Sequence, residues 1–195
     1  YPIVTSAYWQ IISNKRSRIS ELKQLSDKMI ATTRYSATDY LTTLAIDSVH
    51  PKYDVYRVQI NDVNIRLKML LNNEMDAVLL AEPQATRARL DGHVVLMDSR
   101  DKNVRLGVFA FRTDALKEPH RKQQLALFTK AYDMAVDSIN KYGVIHYKDL
   151  IMKYCGVDAR TADALPKFRY QHAESPRQHD LDLVDRSHIK SSKEN

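Results

Sequence analysis

Two short segments of this chain combine side chains able to hold a small polar solute. Arg34-Tyr35-Ser36-Ala37-Thr38 brings together a guanidinium, an aromatic ring and two hydroxyls. It lies between a strand-like run, MIATT, and a helix-like one, so the free N–H groups of a helix start join the set. Those are the parts needed to bind a polar or anionic ligand. An ordinary capped helix start is the alternative. The second segment is Glu82-Pro83-Gln84. Glu82 directly follows the apolar run Ala77–Ala81 and so sits at the carboxyl end of a buried strand, where open α/β sheets bind ligands. Equally, a carboxylate suits the positive end of the next helix. Tyr8 and Trp9 are a third candidate. Neighbours in a strand point to opposite faces, so at most one of them lines a given pocket, and core packing accounts for either one.

Catalytic constellations are missing from the sequence. There is no GxxxxGK[ST] or GxGxxG phosphate loop, no GxSxG elbow and no HExxH pair. Asp62, Glu74 and Asp76 surround one α-β unit, where caps and turns explain them. The seven histidines are scattered, and His172, His179 and His188 fall in a polar C-terminal stretch where exposed histidines are ordinary. The single cysteine, Cys155, allows neither an intrachain disulfide nor a Cys/His metal cluster. No metal, no cofactor and no enzymatic activity is expected. The net charge of +6 comes from interspersed charges of both signs. The basic clusters Lys15–Arg18 and Arg121–Lys122 lack an aromatic platform or a basic helix stripe, so nucleic acid is not the expected partner. The longest apolar runs are strand-length and too short to span a membrane.

The elements that must position these residues can be read from periodicity and caps. YPIVTSAYWQIISNK is rich in β-branched and aromatic residues and reads as one or two strands. Ser20 is placed to cap a helical turn running through Leu25. MIATT is a strand. Ser36 and Asp39 then have the spacing of a capping box, and Tyr40, Leu41, Leu44, Ala45 and Val49 recur at helical spacing until Pro51. YRVQI alternates as a strand, Asn61 or Asp62 caps the helix VNIRLKMLLNN, and DAVLLA reads as a strand buried on both faces. Pro83 opens the helix QATRARLD, Gly92 closes it, and HVVLM is the next strand. This β-α-β-α-β-α-β order implies a largely parallel sheet with helices on both faces. LGVFAF is again strand-like. A long helix follows Pro119, with Leu125, Phe128, Tyr132, Val136 and Ile139 as its apolar stripe and Gly143 at its end. YKDLIMKYC forms a further helix ending at Gly156, and Asp158 or Thr161 opens a last short one. The tail beyond Asp185 is expected to fray.

The stretch NIRLKMLLNNEMDAVLLAEPQATRARLDGHVVLMDS resembles the "R-L-x-x-L-x-x-G-x-I-D-A-A-x-L-x-E-P" segment of type 2 substrate-binding proteins, in the group of taurine, nitrate and thiamine-pyrimidine binders. Arg66, Leu67, Leu70, Met75, Asp76, Ala77, Leu80, Glu82 and Pro83 fit it in order; the family's Gly is Asn73 here or is absent. ISELKQLSDKMIATTRYSATDYL is similar to "I-x-S-L-x-D-L-K-G-K-x-I-A-x-x-x-x-S-x-x-x-Y-L", with Ser26-Asp27-Lys28 in place of Lys-Gly-Lys. FTKAYDMAVDSIN, followed by YKDLIMKY, resembles the family's "F-x-x-A-Y-x-x-A-V-x-x-I-N" helix. The three motifs occur in family order.

The resemblance implies an α/β, two-lobed type 2 periplasmic-binding-protein fold with mostly parallel sheets flanked by helices. It implies a second lobe over 29–98, and part of a first lobe with hinge strands from 1–28 and 99–185, that lobe being incomplete at its N-terminal side. The frayed tail is 186–195. It further implies the solute-binding component of an ABC importer, in the periplasm or as a cell-surface lipoprotein, capturing a small polar or anionic metabolite in an interlobe cleft by hinge closure. Its partners would be that small molecule and the membrane permease, and it would act as a monomer. Arg34, Tyr35, Ser36, Thr38, Glu82 and Gln84, with Tyr8 or Trp9, are the residues expected to touch the solute. The same fold also serves as the effector domain of LysR-type transcription regulators, and in thiamine-pyrimidine and menaquinone-pathway enzymes. The former would place a DNA-binding domain upstream, and the thiamine-pyrimidine synthases carry a cysteine-rich motif that Cys155 alone does not supply.

Overall fold

A computed structural model describes residues 2–5, 7–102 and 104–183. In chain order the strands are β1 (Pro2–Thr5), β2 (Trp9–Ser13), β3 (Met29–Thr32), β4 (Tyr56–Gln59), β5 (Ala77–Ala81), β6 (Val94–Asp98) and β7 (Gly107–Ala110). The α-helices are α1 (Ala37–Val49), α2 (Val63–Leu71), α3 (Gln84–Leu90), α4 (Pro119–Tyr142), α5 (Lys148–Cys155) and α6 (Ala159–Asp163). The described residues form two compact units, one within 8–102 and 148–166, the other within 2–5, 7, 104–147 and 167–183.

The first of these units holds a five-stranded sheet in the order β4-β3-β5-β2-β6. β3 pairs in parallel with β4 and β5, as the alternating pattern requires. β2 runs antiparallel to both β5 and β6 and lies between them. The sheet is therefore parallel except for β2, a strand that reaches its place without a crossover helix. On one face Ile12, Ala31, Val78 and Leu80 pack against Leu70 of α2 and Ala85 and Ala88 of α3. All seven are fully buried. A Leu- or Val-sized side chain removed from water contributes about 1.5–3 kcal/mol each before entropy is counted. Strand alternation turns Ile11, Ile30, Thr32 and Leu79 to the other face, where they are equally buried. There the Thr32 hydroxyl donates to the Thr38 hydroxyl of α1 at 2.9 Å, so α1 covers that side. β5 is thus enclosed on both faces, which is why its sequence is a continuous apolar run.

Polar side chains close the element ends. Asn14 is buried and donates to the Leu70 carbonyl at 3.0 Å and the Met75 carbonyl at 3.3 Å, satisfying groups where α2 ends. Asp62 caps α2 by accepting from the Asn64 and Ile65 amides. Asp158 caps α6 through the Thr161 amide. The turn over Leu22–Leu25 starts from Glu21, not from the expected Ser20. Gln24 reaches back to accept the amides of Ser20 and Glu21, and this side-chain loop takes over the capping role. Gly92, Gly143 and Gly156 end their helices with φ of +85°, +81° and +65°, values that a side chain disfavours. α5 and α6 belong to this unit: Arg87 of α3 pairs with Asp158 at 2.8 Å, and Arg160 reaches the Leu90 carbonyl.

In the other unit β1 and β7 form an antiparallel pair, Pro2 opposite Ala110 and Thr5 opposite Gly107. Phe109 meets Phe128 and Tyr132 of α4 edge-on, at 5.4 and 5.9 Å between ring centres. α4 is otherwise largely open, with Val136 its buried residue. Asp133, Asp137 and Asn140 share one stripe of α4 and hold residues 170–173. Asn140 exchanges two hydrogen bonds with the Tyr170 backbone, Asp137 pairs with His172, and Asp133 accepts from the Ala173 amide. Hydrogen bonding to Asp137 raises the His172 pKa. The expected fraying beyond Asp185 and His188 lie outside the described residues. Among the described residues no cluster of His, Cys, Asp and Glu is placed to hold a metal ion, and no helix is long and apolar enough to cross a membrane.

Candidate functional site

β3 and β5 are parallel neighbours, so the loops that follow them emerge at the same edge of the sheet. β2 is antiparallel to β5, and its first residue, Trp9, pairs with Ala81 at that same edge. Arg34–Thr38, Glu82–Gln84 and Trp9 therefore share the carboxyl edge of this sheet, where doubly wound folds place ligands.

The loop after β3 is held by its hydroxyls. Ser36 is the N-cap of α1: its Oγ accepts from the Thr38 amide at 3.1 Å and donates to the Thr33 carbonyl at 2.6 Å. Thr38 is buried, and its Oγ1 accepts from the Thr32 hydroxyl and from the Thr33 amide. Asp39 does not complete the capping box on Ser36. Its carboxylate takes the Tyr35 amide at 3.0 Å and the Arg57 guanidinium at 2.8 Å. The resulting tight loop puts Tyr35 in the left-handed region at φ +60° and leaves its side chain 83% exposed. Arg34 is exposed as well, its guanidinium 5.7 Å from the Tyr35 ring centre.

The loop after β5 is a network of paired charges. Glu82 accepts from the Thr86 amide at 2.9 Å and the Thr86 hydroxyl at 2.6 Å, capping α3, while its other oxygen meets Arg89 at 2.8 Å. Arg89 continues to the Gln10 side chain at 2.6 Å, and Gln10 donates to Asp98 at 2.8 Å. Burial pushes the Asp98 carboxyl up, but hydrogen bonds from Arg100, the Arg100 charge and the Gln10 amide outweigh it and hold the group below the usual carboxylate range. Gln84 is buried and donates to Asn64 and to the Cys155 carbonyl.

Tyr8 is half-buried. The Trp9 amide donates to the Ser99 hydroxyl at 2.9 Å, and the Trp9 ring centre lies 5.8 Å from the guanidinium carbon of Arg66. Arg66 is 2% exposed. Neither its Nε nor its Nη1 has a hydrogen-bond partner. Desolvation lowers its pKa, opposed by the nearby Asp62 charge. Arg66 is not among the solute-contacting residues expected from the sequence, yet the sequence carries a signal for it. Val63, Arg66, Leu67 and Leu70 occupy one helical stripe, so an arginine stands in a core-facing position of α2.

No protein-family model matches the sequence, and no curated protein matches it. Solved structures do. The chain is similar to the periplasmic aliphatic sulphonate binding protein SsuA from Escherichia coli, with a TM-score of 0.68 and 18% identity over 97% of this chain and 65% of that one. It is similar to the alkanesulfonate-binding protein SsuA from Xanthomonas axonopodis pv. citri bound to MOPS, with a TM-score of 0.67 and 16% identity over 95% of this chain and 66% of that one. An ABC transporter structure from Parabacteroides distasonis gives a TM-score of 0.56 and 13% identity over 94% of this chain and 63% of that one. The fold is therefore the α/β fold of the type 2 periplasmic binding proteins. The chain spans just under two thirds of the length of the two sulfonate binders it matches.

Proposed function

We propose that this chain is the solute-binding component of an ABC importer and takes a small polar or anionic metabolite at the carboxyl edge of its parallel sheet. The observation that carries this reading is the meeting of Trp9, the loop after β3 and the loop after β5 at one sheet edge, in a fold shared with periplasmic sulfonate binders. In this reading Arg34 and Tyr35 reach the solute directly. Ser36, Thr38, Glu82 and Gln84 hold the backbone and helix starts that shape its site, and Tyr8 and Trp9 flank it. Closure of hinged lobes around the solute, delivery to a membrane permease and action as a binder without catalysis in the periplasm complete the proposal.

A thermal-shift screen of the chain against sulfonates, nitrate, pyrimidines and amino acids tests it. A ligand at 100 times its Kd stabilises the folded state by about 2.7 kcal/mol, a shift such a screen resolves. A raised melting temperature with one chemical class is the expected result. No rise with any of them overturns the reading.

A further inference from the structure

We infer that Arg66 is an anion receptor, a buried guanidinium kept under-partnered at the carboxyl edge of the sheet for the negative group of an organic oxyanion, a sulfonate or a carboxylate. This rests on the solute-binding reading and names the chemistry of the solute.

Arg66 is almost fully enclosed, and two of its donors, Nε and Nη1, meet no acceptor. A buried charge in that condition is costly, and folded proteins rarely keep one without a use. Its two neighbours do not discharge it. The Trp9 ring, 5.8 Å away, offers a cation–π contact, which is weaker than a charge-assisted hydrogen bond. Asp62 acts on Arg66 through its charge. The Asp62 Oδ1 is already occupied by the Asn64 and Ile65 amides as the cap of α2.

Arg89 at the same edge shows the contrast. It reaches Glu82, Thr86 and Gln10, all at 2.8 Å or less. The Glu82 carboxylate is thereby already paired, so that loop offers no free carboxylate to compete for Arg66. Trp9 pairs with Ala81, which precedes Glu82, so the Arg66–Trp9 contact lies beside the strand-end loops that the solute-binding reading uses. An oxyanion oxygen supplies an acceptor to one of the two donor edges that Nε and Nη1 leave unpartnered, and the surrounding burial strengthens the pair it forms.

The test compares the chain with its Arg66→Met and Arg66→Lys variants. Pentanesulfonate, pentanoate and pentan-1-ol are used in calorimetric titration, with melting temperatures measured without ligand. The native chain is expected to bind one or both anions and to discriminate against the alcohol. Arg66→Met replaces an unpaired buried charge by an apolar side chain of similar length, so it should melt at the same temperature or higher. It should lose roughly 30-fold or more in anion affinity. Arg66→Lys keeps a charge without the planar fork and should fall between the two. An Arg66→Met chain that is unfolded or less stable than the native one overturns the inference, because the arginine would then be structural. Undiminished anion binding by Arg66→Met overturns it too, as does a native chain that binds neither anion. In that last case, a melting-temperature rise with an uncharged solute from the wider screen leaves the solute-binding reading standing while this one falls.

Discussion

The loops after β3 and β5 leave adjacent parallel strands at the same edge of one sheet, yet they treat their polar residues in opposite ways. After β5 every prominent charge is matched: Glu82 with Arg89 and the start of α3, Arg89 with Gln10, and Gln10 with Asp98. After β3 the hydroxyls and Asp39 close on the loop itself, and the two largest side chains, Arg34 and Tyr35, stay outside. The cause is their surroundings. β5 is the central, fully enclosed strand, and a charge at its end has lost enough water to need a partner. Arg34 and Tyr35 keep their water and need none. Standing at the carboxyl end of a strand therefore does not by itself make a ligand contact. The partners already taken decide whether a side chain fastens the fold or remains available.

Three variants put pressure on this contrast. Glu82→Ala should have the largest effect, a loss of about 2–4 kcal/mol in urea unfolding, because it strips the cap of α3 and strands a half-buried Arg89. A loss under about 0.5 kcal/mol would mean the network is not a fastening. Ser36→Ala should cost about 1 kcal/mol, the ordinary value of an N-cap, since Thr38 and Asp39 still hold the loop. A cost equal to that of Glu82→Ala would erase the distinction between the loops. The double change Arg34→Ala with Tyr35→Ala should move stability by less than about 0.5 kcal/mol, as for other exposed positions. It should still weaken binding of whichever solute the thermal screen finds. Unchanged affinity would remove the β3 loop from the site.

Much of this was legible locally. The continuous apolar run Ala77–Ala81, the Asp62 and Asp158 caps and the glycines at helix ends announce their elements through periodicity and hydrogen-bonding capacity. Ser36 was legible as a cap. That Asp39 turns to Tyr35 and Arg57 was not, because Arg57 arrives from the neighbouring strand β4. Glu82 carried two readings in the sequence, a helix cap or a ligand contact. The structure adds its pairing with Arg89, which no local rule supplies.

By itself, then, the sequence determined an α/β chain with a largely parallel sheet and the order of its strands and helices, since those depend on residues within a turn or two of each other. Tertiary structure alone decided that β2 enters between β5 and β6, and that one arginine at the sheet edge is satisfied while another is not. Arg89 finds Gln10 across 79 positions of chain, and Arg66 faces Trp9 from a core-facing turn of α2. The partner of a buried charge is set by what packing brings beside it, and a linear sequence does not record that.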